Sequence, residues 1–306
     1  MGDVRRAAIV GTGTMGPGMG AVMARAGIET ALYDISPEAL EQAKGAAELA
    51  SGVLDRLDAA RADGGGLRFE SDLDAALDGA EFVIEAVPEK LELKQELFPQ
   101  LEAGAADDAV LASNTSGIPI TKIASTCSRP ERVVGMHWSN PPHLIPMIEV
   151  IPGEQTSRET VDRTAALVRR FGYHPVEERE VPGFVENRIL YAILRECLDL
   201  VDRGIIDPQG LDLNVRWGIG YKLAVIGPME LLDMAGLDIY NAVGSYLNQD
   251  LSTSGEVSST IRGLIDGGRL GMKTGGGIYD YTPEQIAELR AARASRLVAV
   301  RKALEG

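Results

Sequence analysis

The stretch RAAIVGTGTMGPGMGAVMARAG, residues 6 to 27, constrains this chain more than any other. A short apolar run feeds into Gly11, Gly13 and Gly16, and a helical pattern from Thr14 to Ala26 follows. A G-x-G-x-x-G turn between strand and helix allows a tight turn, close approach of backbone N–H groups to a pyrophosphate, and close packing of helix on strand. The helix N-terminus adds partial positive charge for the phosphates. Alone the spacing is weak, because glycine-rich turns are common. Asp34 strengthens it by closing the next strand candidate, IETALYD, where a carboxylate can accept hydrogen bonds from adenosine ribose hydroxyls. The same carboxylate would repel a 2′-phosphate, and the following ISPE contains no arginine to neutralise one. NAD is therefore expected rather than NADP. FAD shares the fingerprint, and a tight turn with an exposed aspartate and no ligand is the plain structural alternative.

The rest of the first half alternates strand and helix patterns. Strand candidates EFVIEAV, AVLASN, RVVGMHW and PMIEVI are separated by helices near Lys90 to Leu101 and Arg158 to Phe171, the latter opened by a Thr156-x-x-Glu159 capping pattern. Such alternation predicts an α/β fold with a Rossmann-type, doubly wound parallel sheet. ADGGGL, residues 62 to 67, reads as a loop, and His174 in GYHPV as part of a surface turn. After VPGFVENR the pattern becomes helical, with Ile189, Ile193, Cys197, Leu200 and Val201 at helical spacing. This predicts a border at Pro182–Gly183: residues 1–182 form the nucleotide-binding domain and residues 183–306 a second, all-helical domain with a C-terminal helix.

The chain of 306 residues is long enough for two domains, and its net charge of −15 repels polyanions, so nucleic acid is not an expected partner. No apolar run approaches the roughly 20 residues needed to span a bilayer, and the N-terminus lacks a signal-peptide pattern, so no membrane association and a cytoplasmic location are expected. Cys127 and Cys197 have no CxxC or histidine neighbour at ligand spacing, and no metal site is expected.

Taken together, GTGTMG, IEAVPEKLELK, ASNTSG, GMHWSNP with MIEVI, VPGFVENR and GPMELLD resemble the NAD-dependent L-3-hydroxyacyl-CoA dehydrogenases, over roughly residues 5 to 281. The resemblance implies a His–Glu dyad at His137 and Glu149, with Ser116 and Asn187 hydrogen-bonding the substrate oxygens. An imidazole, with an ordinary pKa of about 6.5, can take a hydroxyl proton at neutral pH while a buried carboxylate stabilises the imidazolium. The resemblance assigns cofactor contacts to Gly11, Gly13, Thr14, Met15, Gly16, Asp34, Glu89, Lys94, Asn114, Asn140 and, more loosely, Lys273. It also implies a homodimer formed through the helical domain. Apart from it, His137 reads as a structural histidine, Glu149 as a strand carboxylate, and Glu89 with Lys94 as a helix-surface pair. His143 is expected to cap a turn or border the substrate, and Trp138 to serve packing.

The chain departs from the family where the acyl-CoA enzymes carry a Lys and a Ser that hold the CoA nucleotide. The matching positions are Gly45 and Ala50, in an acid-rich segment. The default expectation is hydride transfer between NAD and a 3-hydroxyacyl, 3-hydroxybutyryl-CoA-like substrate. Loss of the two CoA contacts, the wording of HWSNPPHLIP and the added C-terminal helix lean towards relatives acting on small free acids or on a hydrated pyridine-carboxylate aldehyde. A crystallin-like protein that binds NAD without significant catalysis is the alternative from another class.

Overall fold

The computed structural model describes residues 4–305. The chain divides into two compact units, one ending at Arg188 and the other beginning at Ile189.

In the first unit the elements run β1 (Arg6–Val10), α1 (Gly16–Arg25), β2 (Glu29–Tyr33), α2 (Pro37–Arg56), β3 (Gly66–Glu70), α3 (Leu73–Leu77), β4 (Phe82–Glu85), α4 (Leu91–Gly104), β5 (Val110–Ser113), α5 (Ile120–Ala124), β6 (Val133–Trp138), β7 (Met147–Pro152), α6 (Arg158–Arg170) and β8 (His174–Glu177). One eight-stranded sheet results, in the order β3-β2-β1-β4-β5-β6-β7-β8. The order reverses between β1 and β4, as doubly wound sheets do, and ligands bind at the carboxyl ends of strands at such a switch point. Side chains of β1, β4 and β5 are almost wholly buried, with Ala8, Val10, Val83 and Leu111 packing against Phe98 and Leu101 of α4.

All strand pairs are parallel except β6 and β7. Residues 139–146 are too few for a helical crossover, which takes a dozen or more residues, so the chain turns back on itself there. That reversal sets His137 opposite Glu149 in the ladder.

Two edge strands escape the sequence patterns. The loop expected at residues 62–67 runs into β3, and His174 opens β8 instead of lying in a turn. Both are short, carry charged residues or a proline, and pair on one side only, as edge strands do. The helix α6 is capped by Ser157, whose hydroxyl accepts from Thr160 N–H, and not by Thr156. The Thr156 hydroxyl donates instead to Val133 O and accepts from Gly153 N–H. Trp138 is buried against Phe171 and Tyr173, and the two cysteines are free and partly buried.

The helix α7 (Phe184–Asp202) begins in the first unit and continues into the second. The second unit then contains α8 (Pro208–Asn214), a π-helical stretch (Val215–Gly220), α9 (Tyr221–Leu223), α10 (Pro228–Ala235), α11 (Leu237–Asp250), α12 (Ser259–Asp266) and α13 (Pro283–Glu305). Asp207 caps α8 by accepting from Gly210 N–H, and Thr282 and Gln285 form a reciprocal capping box on α13. A turn around Gly271–Asp280 is pinned by Arg269, which donates to Gly277 O and pairs with Asp280 at 2.7 Å. No helix among the described residues is long and apolar enough to cross a membrane.

Candidate active site

The glycine turn after β1 has the geometry that a dinucleotide needs. Gly11 has φ +109°, and a Cβ there would sit 2.5 Å from Ala86 O. A Cβ on Gly16 would lie 2.3 Å from Gly11 O, so the first turn of α1 can rest on the loop only without a side chain. Gly13 differs: an added Cβ would meet nothing within 4 Å. Its backbone borders open space, which is where a pyrophosphate would approach. Thr14 and Met15 complete the loop, Met15 at the N-cap of α1.

Asp34, just past the end of β2, orders this loop. One carboxylate oxygen accepts from Thr12 N–H and the Thr12 hydroxyl at 2.9 and 2.8 Å, the other from Ser36 N–H at 3.0 Å. Burial disfavours its charge, but these donors, with Ile35 N–H, outweigh burial and hold the carboxyl below its ordinary value. The charge that repels a 2′-phosphate is therefore secured. These residues fit NAD.

A second cluster lies at the ends of β4 and β5. Lys94 is 1% exposed and donates to both oxygens of Glu85, which is 0% exposed, at 2.6 and 2.8 Å. Glu85 also accepts from the Ser113 hydroxyl and Val87 N–H. The same ammonium stands 3.2 Å from Glu89, which accepts from the Thr115 hydroxyl and from Ser116 N–H. Lys94 is thus a buried cation inside a network that fixes the Ser116 loop, not a surface partner of Glu89. Donors and Lys94 together outweigh the burial of Glu89 and lower its carboxyl pKa. Asn114 accepts from Trp138 N–H through its side chain and ties the ends of β5 and β6 together.

The third cluster joins the β6–β7 ladder to α7. His137 Nδ1 and Glu149 Oε2 are 2.6 Å apart. The carboxylate fixes the proton on Nδ1, which leaves Nε2 free to act as a base. Glu149 Oε1 accepts from Glu186 N–H at 2.7 Å and Val185 N–H at 3.1 Å, two donors of the first turn of α7. Burial opposes the Glu149 charge, but His137 and these donors prevail and lower its pKa. The Phe184 ring, fully buried and with φ +53°, lies 5.6 Å from the imidazole. Three residues further on, Asn187 Nδ2 donates to Ser116 O at 3.0 Å.

Hence two hydrogen-bonded groups meet at the start of α7: Ser116 with Asn187, continuing through Glu89 to Lys94 and Glu85, and His137 with Glu149, anchored on the N–H groups of Val185 and Glu186. Asn140 is exposed at the start of the β6–β7 connection, and Lys273 lies exposed in the second unit. His143 packs at α1, where a Cβ on Gly18 would come within 3.0 Å of its Nδ1, and burial lowers its pKa. Sequence reasoning missed Glu85, Thr115, Phe184, Glu186 and Glu178. Of these, Glu85, Thr115, Phe184 and Glu186 lie inside IEAVPEKLELK, ASNTSG and VPGFVENR, and Glu178 lies in none of the motifs. His137, Glu149 and Glu186 offer ligand atoms within 4.8 Å of one another. The dyad, the α7 N–H groups and the Ser139 hydroxyl, which donates to Glu186, already engage those atoms.

The fold and its nucleotide turn define an NAD-dependent dehydrogenase. The chain belongs to the 3-hydroxyacyl-CoA dehydrogenase family, whose NAD binding domain matches residues 6–181 and whose C-terminal domain matches residues 183–281. It is 52% identical, over 99% of both chains, to 5-formyl-3-hydroxy-2-methylpyridine 4-carboxylate 5-dehydrogenase of Mesorhizobium japonicum. A crystal structure of a 5-dehydrogenase of that compound, described as an NAD+ dependent dismutase, superposes with a TM-score of 0.97 at 52% identity and covers 99% of each chain. The (S)-3-hydroxybutyryl-CoA dehydrogenase of Ralstonia eutropha gives a TM-score of 0.73 at 31% identity, covering 92% of this chain and all of that one.

Proposed function

We propose that the chain oxidises a small carboxylate carrying a hydrated aldehyde, of the type of 5-formyl-3-hydroxy-2-methylpyridine 4-carboxylate, and not a CoA thioester. The observation that carries this reading is 52% identity to the dehydrogenase of that compound over 99% of both chains. The α2 helix supports it. Ala50 is buried and Gly45 presents no side chain, so neither can hold a CoA phosphate.

Bound NAD would supply the hydride acceptor, held by the Gly11–Gly16 turn and Asp34, with Glu89, Asn114 and Asn140 as further contacts. His137 Nε2 takes the hydroxyl proton of the hydrated aldehyde as its C–H hydride departs, leaving the carboxylic acid. Glu149 stabilises the imidazolium at 2.6 Å. Ser116 and Asn187 hold the substrate oxygens, and the Glu85–Lys94–Glu89 network keeps the Ser116 loop in place. Residues 1–182 act as the cofactor domain, and residues 183–306 as the helical domain through which two copies pair. Apolar side chains exposed on α7 (Ile189, Leu190, Leu194) favour pairing. A cytoplasmic location completes the reading.

The test compares NADH formation with the pyridine aldehyde, (S)-3-hydroxybutyryl-CoA and free 3-hydroxybutyrate. Turnover is expected only with the aldehyde. A micromolar KM for the CoA ester would return the reading to the family default. His137→Ala should lower kcat by about 10²–10⁴-fold; an active variant would remove His137 as the base. Light scattering at micromolar concentration should give the mass of a dimer.

A further inference from the structure

Glu178 follows directly on β8, and its N–H still donates to Val150 O of β7 at 3.2 Å. That ladder contact brings its carboxyl to the back of the dyad. Val185 N–H lies 3.0 Å from Glu178 Oε1 and 3.1 Å from Glu149 Oε1, so two carboxyl groups share one donor at the first turn of α7. The other oxygen of Glu178, Oε2, is buried and receives no donor. Two carboxylates this close resist joint ionisation, and a buried oxygen without a partner is costly. One proton on Glu178 removes the second charge and turns its carboxyl into an O–H donor beside Glu149. Glu149 is the member that stays charged, since His137 and the Glu186 N–H also stabilise it.

We propose that Glu178 is a positioning residue of the dyad: as the neutral acid it donates to Glu149, fixes that carboxylate against His137 and withholds a second negative charge from the imidazole. Burial, followed by the charge of Glu149, pushes the Glu178 carboxyl up to about 7, with Val185 N–H and His137 acting in the opposite sense. The titratable groups facing it are Glu149 and His137, and Glu186 stands beside them with its carboxylate engaged by Ser139. When Glu178 loses its proton, His137 faces two carboxylates instead of one.

The proposal rests on His137 as the base, and a substrate-independent measurement keeps the two separable. In the NAD-bound wild type, an infrared carboxylic-acid C=O band is expected below neutral pH. It should fade as pH rises through about 7 and be missing in Glu178→Gln. With substrate, kcat of the wild type should carry an ionisation near 7 that is missing from the profile of Glu178→Gln, whose amide still donates to Glu149. Glu178→Ala should lower kcat roughly ten-fold with the KM for NAD unchanged, and the glutamine should restore it. Identical infrared spectra, or superposable pH profiles for wild type and Glu178→Gln, would overturn the role of Glu178. An active His137→Ala beside a Glu178 acid band would refute the base assignment alone.

Discussion

Replacing Lys94 by Met tests whether the buried cation holds the first unit together. The wild-type ammonium spans Glu85 Oε1 and Oε2 at 2.6 and 2.8 Å and Glu89 at 3.2 Å. Methionine keeps the length and the helix propensity of α4 but removes the charge. Glu85, fully buried, is left with the Ser113 hydroxyl and Val87 N–H as donors. Removing one partner of a buried ion pair costs about 3–5 kcal/mol, because the remaining charge stays desolvated. For a domain of this size each kcal/mol lowers Tm by about 2–4 °C, so a fall of roughly 6–20 °C is expected. Calorimetry on the wild type, Lys94→Met, Glu85→Gln and the double variant measures the coupling. The double variant should recover at least half of the loss, since a neutral amide keeps an acceptor for the two remaining donors. A fall of under about 3 °C, or a double variant no more stable than Lys94→Met, would refute the stranded-charge reasoning.

The glycine turn separates stability from binding. Gly16→Ala should destabilise the fold by about 2 kcal/mol or more through a backbone clash, while Gly13→Ala, with open space around its Cβ, should leave Tm nearly unchanged and raise the KM for NAD. Equal Tm losses in the two variants would contradict that division. Asp34→Asn should raise the KM for NAD roughly ten-fold or more. The Asp34 carboxyl lies below its ordinary 3.8 in the folded chain, so its stabilising contribution is present above that value and lost as pH falls through the folded pKa. Urea unfolding at neutral and strongly acidic pH should show the gap between wild type and Asp34→Asn closing on acidification.

Much of the site was legible because its signals are local or family-specific. Gly11, Gly13, Gly16 and Asp34 announce themselves by spacing around a strand–turn–helix. His137 with Glu149 and Ser116 with Asn187 came from motif resemblance, since nothing in their spacing alone says that they meet. Glu178, which lies in no periodic pattern or motif, stayed hidden. Thr156 resembles a cap, yet its hydroxyl is taken by Val133 O across the sheet, which leaves Ser157 to cap α6.

The sequence by itself determined the alternating α/β order, the change to helices after Pro182 and the nucleotide turn, because helix caps, strand runs and glycine conformations depend on neighbours along the chain. Only the tertiary structure decided which charges are buried and who shares a proton. The antiparallel return of β7 puts Glu149 beside His137, the ladder to β8 adds Glu178 behind them, and the packing of α4 sinks Lys94 between Glu85 and Glu89. Desolvation and charge coupling act through space, so they appear only when distant segments are packed together.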